Sequence, residues 1–283
     1  MTQYKSVLKQ ITNSKIGYII TLSIILLNCA NTPQYNDPIP EHDNFNIESQ
    51  GVDETRVINV WTPPNYKTST DAFPVLYMPD GGIKEDFPHI ANTLAKLIES
   101  KSIPPFILVG IENTERGRDL SGPSQVEADG EYCPLTDGAK NFRRFITDEL
   151  MPRINKNYRT TTRKGIIGES LAGLFVTETF LIAPNTFDFY IAIDPSIWWN
   201  DHYLEKNAST YLSIFPDKNI KYWFAGSDAK DISKHTRNLE KTLKENAPAQ
   251  LAWTYSDEPN EQHNTIFRAT KEKALIWALN PVE

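Results

Sequence analysis

From about residue 43 onward the chain alternates between two rhythms of apolar positions. Short runs dense in β-branched and aromatic residues, Glu54 to Trp61, Phe73 to Met78, Phe106 to Ile111, Gly165 to Gly168, Phe187 to Ile193, Lys221 to Ala225 and Gln250 to Tyr255, read as strands. Between them Ile90, Leu94, Leu97 and Ile98 fall on one face of a helix at i, i+4, i+7 and i+8. Phe142 to Ile154, Leu171 to Ile182 and Ile266 to Leu279 carry similar periodicity. Apolar strands taking turns with helices predict an α/β domain whose mostly parallel central sheet is covered by helices on both faces. In such a sheet ligands bind at the carboxyl ends of the strands, so candidate chemistry is sought there.

Before that domain the pattern differs. Lys5, Lys9 and Lys15 precede an apolar run from Ile16 to Leu27, too short for the roughly twenty residues that span a bilayer as a helix. The layout is that of an export signal. Leu26-Leu27-Asn28-Cys29 resembles a lipobox, which makes Cys29 the expected lipidation site, with plain secretion or an uncleaved anchor as alternatives. Ala30-Asn31 after it lacks the aspartate associated with inner-membrane retention and favours the outer membrane. The polar, proline-bearing stretch that follows reads as a tether. The expected organisation is therefore a signal over 1–29, a linker over 30–42 and one catalytic-sized domain over 43–283.

Composition narrows the function. A formal net charge of -7, without a basic cluster, argues against nucleic acid as a partner. Two cysteines, one of them expected to carry lipid, leave no disulfide or zinc framework, and nothing in the sequence calls for a metal or an organic cofactor.

The richest stretch is Gly168-Glu169-Ser170-Leu171-Ala172-Gly173, a serine between small residues where a strand becomes a helix. A turn this sharp excludes bulk two residues before and after the serine, so Gly168 and Ala172 mark a nucleophile elbow that presents Ser170. A serine hydroxyl needs a base, and the base an orienting acid, in the chain order Ser, Asp/Glu, His. Of the histidines after Ser170, His263 lies in a polar loop between the last strand and last helix and is the expected base. His235 falls on a charged helical pattern and reads as a surface residue, while His202 comes too soon for the base and is placed nearer substrate. For the acid, Asp228 just past the strand Lys221 to Ala225 is favoured over Asp231, which could instead cap the following helix.

These motifs, with "RVINVWTPPNY", "VLYMPDGG", "ILVGIENTERGRDL", "AIDPSIWW" and "EQHNTIF", resemble an esterase branch of the α/β-hydrolase superfamily. That group contains esterase D, enterochelin and other siderophore esterases, feruloyl esterases and mycolyltransferases. The resemblance runs from about Arg56 to Leu279. It implies an α/β-hydrolase fold and an oxyanion hole formed by the amides of Gly82 and Leu171. It also implies a pocket rim at Arg116, Arg118 and Asp119, with Trp198 and Trp199 as apolar substrate contacts. The activity expected is serine-dependent hydrolysis of a bulky polar ester or lactone through an acyl-enzyme. The alternatives are acyl transfer by the same triad and a noncatalytic binding protein of the same fold.

Overall fold

The computed structural model describes residues 35–281. Eight strands form one sheet in the order β1-β2-β4-β3-β5-β6-β7-β8. They are β1 (Asp43–Ser49), β2 (Glu54–Trp61), β3 (Phe73–Met78), β4 (Ile107–Ile111), β5 (Thr160–Glu169), β6 (Phe189–Ile193), β7 (Ile220–Gly226) and β8 (Leu251–Asp257). β1 pairs antiparallel with β2 and β2 antiparallel with β4; every other pairing is parallel.

The apolar runs are near-continuous because both faces of the sheet are buried. Val75, Tyr77, Ile166, Tyr190, Ala192, Tyr222 and Phe224 point to one side. There they meet α3 (Gly138–Arg144), α4 (Met151–Asn157), α5 (Leu171–Ile182), α6 (Trp199–Ser213) and α7 (Lys230–Asn246) through Phe142, Ile154, Phe175, Leu204 and Leu239. The alternate positions Leu76, Met78, Ile167, Ile191, Ile193 and Trp223 meet α1 (Phe87–Glu99) and α8 (Ile266–Leu279) through Ile90, Leu94, Leu275 and Leu279. A short helix, α2 (Arg116–Leu120), follows β4. This is the mostly parallel, helix-covered sheet of an α/β hydrolase.

Departures from expectation have local causes. β1 is an edge strand in which only Ile47 and Ser49 are fully buried and Phe45 packs partly buried beside them, so its alternation is faint. α6 buries a thin stripe, Trp199, Leu204, Ala208 and Leu212, beneath a polar surface. The helix expected over Phe142 to Ile154 is interrupted by a π-helical turn, Phe145–Leu150, just before Pro152 in the first turn of α4; proline offers no N–H to continue an α-helical ladder. The described part of the expected linker lies on the domain: Arg268 pairs with Asp37 and stacks over the Tyr35 ring, and Asn92 donates to the Pro38 carbonyl at 2.8 Å. The signal over 1–29, including Cys29, and positions 30–34 lie outside the described residues.

Candidate active site

β5 ends at Glu169, and Ser170 begins the turn into α5 with φ 59° and ψ -119°, a conformation most side chains avoid. The turn brings the chain back on itself so closely that a Cβ on Gly168 would lie 2.7 Å from the Ala172 backbone and 2.8 Å from its methyl. Three hydrogen bonds hold the serine's backbone: its N–H donates to Ile193 O at 3.0 Å, and its carbonyl accepts from Leu174 and Ser196. Leu171 opens α5, so its N–H has no carbonyl one turn earlier within the helix and sits at the positive end of the helix dipole.

The hydroxyl of Ser170 lies 2.9 Å from His263 Nε2, and His263 Nδ1 lies 2.5 Å from Asp194 Oδ2. Asp194 is wholly buried at the carboxyl end of β6. Its carboxylate also accepts the Ser227 N–H at 2.7 Å and the Ser227 hydroxyl at 2.8 Å. A buried carboxylate so satisfied is fixed in position beside the ring. The hydrogen bond to Asp194 is the largest influence on His263 and raises its pKa above the ordinary value, against the opposing effect of burial.

Here the structure corrects the expected acid. Asp228 is exposed, and it is its backbone N–H that acts, donating to Glu261 O at 2.9 Å and tethering the histidine loop. Asp231 is exposed as well, on the first turn of α7. β6 is the immediate neighbour of β5, so a residue at its end faces the elbow directly; the end of β7 is one strand further off. Asp194 is the site residue that sequence reasoning missed. Its signal lay in "AIDPSIWW", an aspartate directly past a strand's carboxyl end, as available as that of Asp228.

Other expected residues also fall into different roles. The Gly82 amide donates to the Glu85 carboxylate at 2.6 Å, so in this structure it is satisfied within its own turn rather than held open for an oxyanion. Asp119 is buried between Arg56 and Arg118, and Arg118 also reaches Glu54 at 2.5 Å; these are braces between β2 and α2, not a pocket rim. Arg118 in turn holds the Glu54 carboxyl down at about 2. Arg116 grips Asp80 with two hydrogen bonds, at 2.6 and 2.8 Å, and remains partly exposed near the site. Trp199 is buried, donating to Gly122 O, and lines a 340 Å³ cavity with Glu178, Tyr203 and Tyr211. Glu178 lies two turns down α5, about 12 Å from Ser170 along the helix axis. Trp198 is half-buried and meets the exposed Tyr132 edge to face, with centroids 5.3 Å apart.

One neighbour was not anticipated. Glu169 lies 3.6 Å from His263 Nε2, and burial, with Asp86, Asp194 and Asp80 nearby, pushes its carboxyl up to about 8, the His263 charge opposing. At neutral pH it is mostly protonated, which leaves the hydrogen bond to Asp194 as the orienting contact of the imidazole.

Comparison with known proteins places the chain among relatives. Residues 49–274 match the model of the family described as "Putative esterase". The chain is 27% identical over 250 residues to ferri-bacillibactin esterase BesA of Bacillus subtilis, covering 81% of this chain and 86% of that protein. It is 25% identical over 247 residues to the apo-salmochelin esterase of Escherichia coli, covering 80% and 76%. Among solved structures, an IroE-like serine hydrolase from Shewanella oneidensis superposes with a TM-score of 0.75 at 26% identity, over 84% of this chain and 79% of that one.

Proposed function

We propose, on the premise that the chain belongs to the Putative esterase family and is a carboxylic ester hydrolase, that it works as a serine esterase through an acyl-enzyme. The observation that carries this reading is the continuous run of hydrogen bonds from Ser170 through His263 to Asp194 on a strained elbow. Ser170 Oγ attacks the ester carbonyl carbon while His263 Nε2 takes its proton. Asp194 holds the ring with Nε2 facing the serine and stabilises the imidazolium that forms. The Leu171 N–H, at the N-terminus of α5, donates to the oxyanion. Collapse expels the alcohol, which receives the proton from His263, and water then repeats the sequence to free the acid.

The substrate class is a bulky polar ester or lactone, of the kind found in siderophores. Two relatives are named for bacillibactin and salmochelin esterase activity. The site agrees with a large, polar guest: the His263 side chain is 42% exposed, and Tyr132 and Trp198 offer aromatic edges. The segment between β6 and β7 is the polar helix α6 rather than an apolar lid. Water access to His263 also favours hydrolysis over acyl transfer. Export and attachment through lipid on Cys29 complete the proposal, resting on the lysine-flanked apolar run alone. Mass spectrometry of the mature protein is expected to show a diacyl or triacyl N-terminal cysteine; an unmodified Cys29 would remove the anchor.

The test of the chemistry is covalent trapping. A fluorophosphonate or a slowly deacylated aryl ester is expected to leave its mass on the tryptic peptide containing Ser170 and to leave Ser170→Ala unlabelled. Turnover of a trilactone siderophore by Ser170→Ala within a few-fold of the parent would sink the proposal. A higher kcat/KM on a triglyceride than on the trilactone would overturn the substrate class while leaving the mechanism standing.

A further inference from the structure

Away from the triad, α6 and α7 bring together a second group of side chains with the chemistry of a binding site. His202 and Glu205 lie three residues apart on α6, and His235 projects from α7 against them. One donor atom from each lies within 4.8 Å of the others. The two imidazoles stack, with centroids 3.6 Å apart and planes 12° from parallel. His235 Nδ1 pairs with Glu205 Oε2, and Glu205 Oε1 accepts from the Asn238 amide at 2.7 Å, which fixes the carboxylate's direction. His202 Nδ1 is buried and has no hydrogen-bond partner. A buried ring nitrogen left unpaired costs free energy and calls for an explanation.

The backbone makes the same demand. Asn200, Asp201 and His202 have φ values of 51°, 50° and 61°, three consecutive left-handed residues without a glycine among them. Such a run persists only where its surroundings over-determine it.

We infer that His202, Glu205 and His235 form a binding site for a divalent transition ion of the zinc class, which staples α6 to α7. Two imidazole nitrogens and one carboxylate oxygen are a donor set that zinc accepts, with water completing the shell. Zinc at 2.0–2.1 Å from each ligand needs donors roughly 3.3 Å apart, and because each lone pair lies in its own ring plane, binding requires one imidazole to rotate out of the stack so that both face one ion. Asn238 supplies the outer hydrogen bond that orients the carboxylate. The staple has a structural position: α6 follows the loop carrying Ser196, and α7 follows the loop whose Ser227 holds Asp194. The ion therefore braces the two loops behind the triad without touching the reacting atoms.

Full-length protein stripped with a chelator is titrated with Zn²⁺ by calorimetry and with Co²⁺ by visible absorption. The expected result is one ion per chain, a rise in Tm on Zn²⁺ addition, and weakening of binding by roughly tenfold or more in His202→Asn and in His235→Asn. Ester hydrolysis by the metal-free parent and by His235→Asn is expected to agree within about twofold, and the metal-free melts of both variants confirm folding. Asn238→Ala, which removes no ligand, is expected to weaken binding less than either histidine change. No saturable binding up to millimolar Zn²⁺, or affinity unchanged in both histidine variants, would overturn the inference; in the second case the ion sits elsewhere on the protein.

Discussion

A serine protonated at neutral pH becomes a nucleophile only when its neighbour can take the proton, so under the proposed mechanism the state of His263 governs the pH profile. The general base works neutral. Because Asp194 raises its pKa, the acid limb of kcat/KM is expected above the ordinary histidine value near 6.5. Glu169 adds a second titration. With its pKa pushed up to about 8 it is mainly neutral at pH 7, and once ionised its charge 3.6 Å from Nε2 favours the imidazolium. The two groups titrate as a pair, and the profile reports the pair. Glu169→Gln is expected to keep activity at pH 7 within a few-fold and to remove the inflection near pH 8. A profile indistinguishable from that of the parent enzyme would show that Glu169 is not coupled to the base.

Between elements, buried ion pairs act as braces rather than binding groups. β2 and α2 are joined by Arg56, Asp119, Arg118 and Glu54, two of which are almost wholly buried. Breaking a buried pair leaves an uncompensated charge, so Asp119→Asn is expected to cost on the order of 3 kcal/mol of stability. Arg118→Ala is expected to lower Tm while leaving KM for the best ester unchanged; a KM raised tenfold with an unaltered melt would return Arg118 to the pocket rim. Most elements were legible because their apolar runs are buried on both sides and tolerate no polar interruption. Those that were not, β1 and α6, bury only a thin stripe, and their register comes from neighbours rather than from their own pattern. The elbow was legible for a different reason: its small residues are a steric requirement at fixed offsets from Ser170.

Across the whole molecule, the sheet order decides which side chains can meet. β5, β6 and β7 lie side by side, and the loop before α8 brings His263 over their carboxyl ends. Both β6 and β7 are followed by an aspartate, Asp194 and Asp228, and chain order alone does not say which one the histidine reaches. That choice depends on the path of the returning loop, fixed here by Asp228 N–H donating to Glu261 O and by Ser227 turning inward onto Asp194. The serine and the histidine were thus readable from local sequence, while the acid was a property of three-dimensional packing. The role of Asp194 as the triad acid is read out by kcat/KM on one activated ester for Asp194→Asn and Asp228→Asn, compared with the parent enzyme. Loss of the orienting acid in a Ser-His-Asp template costs about 10⁴-fold. Asp194→Asn is therefore expected to lose on the order of 10³-fold to 10⁴-fold while Asp228→Asn stays within a few-fold of the parent. The reverse ranking, with both variants folded, would contradict it.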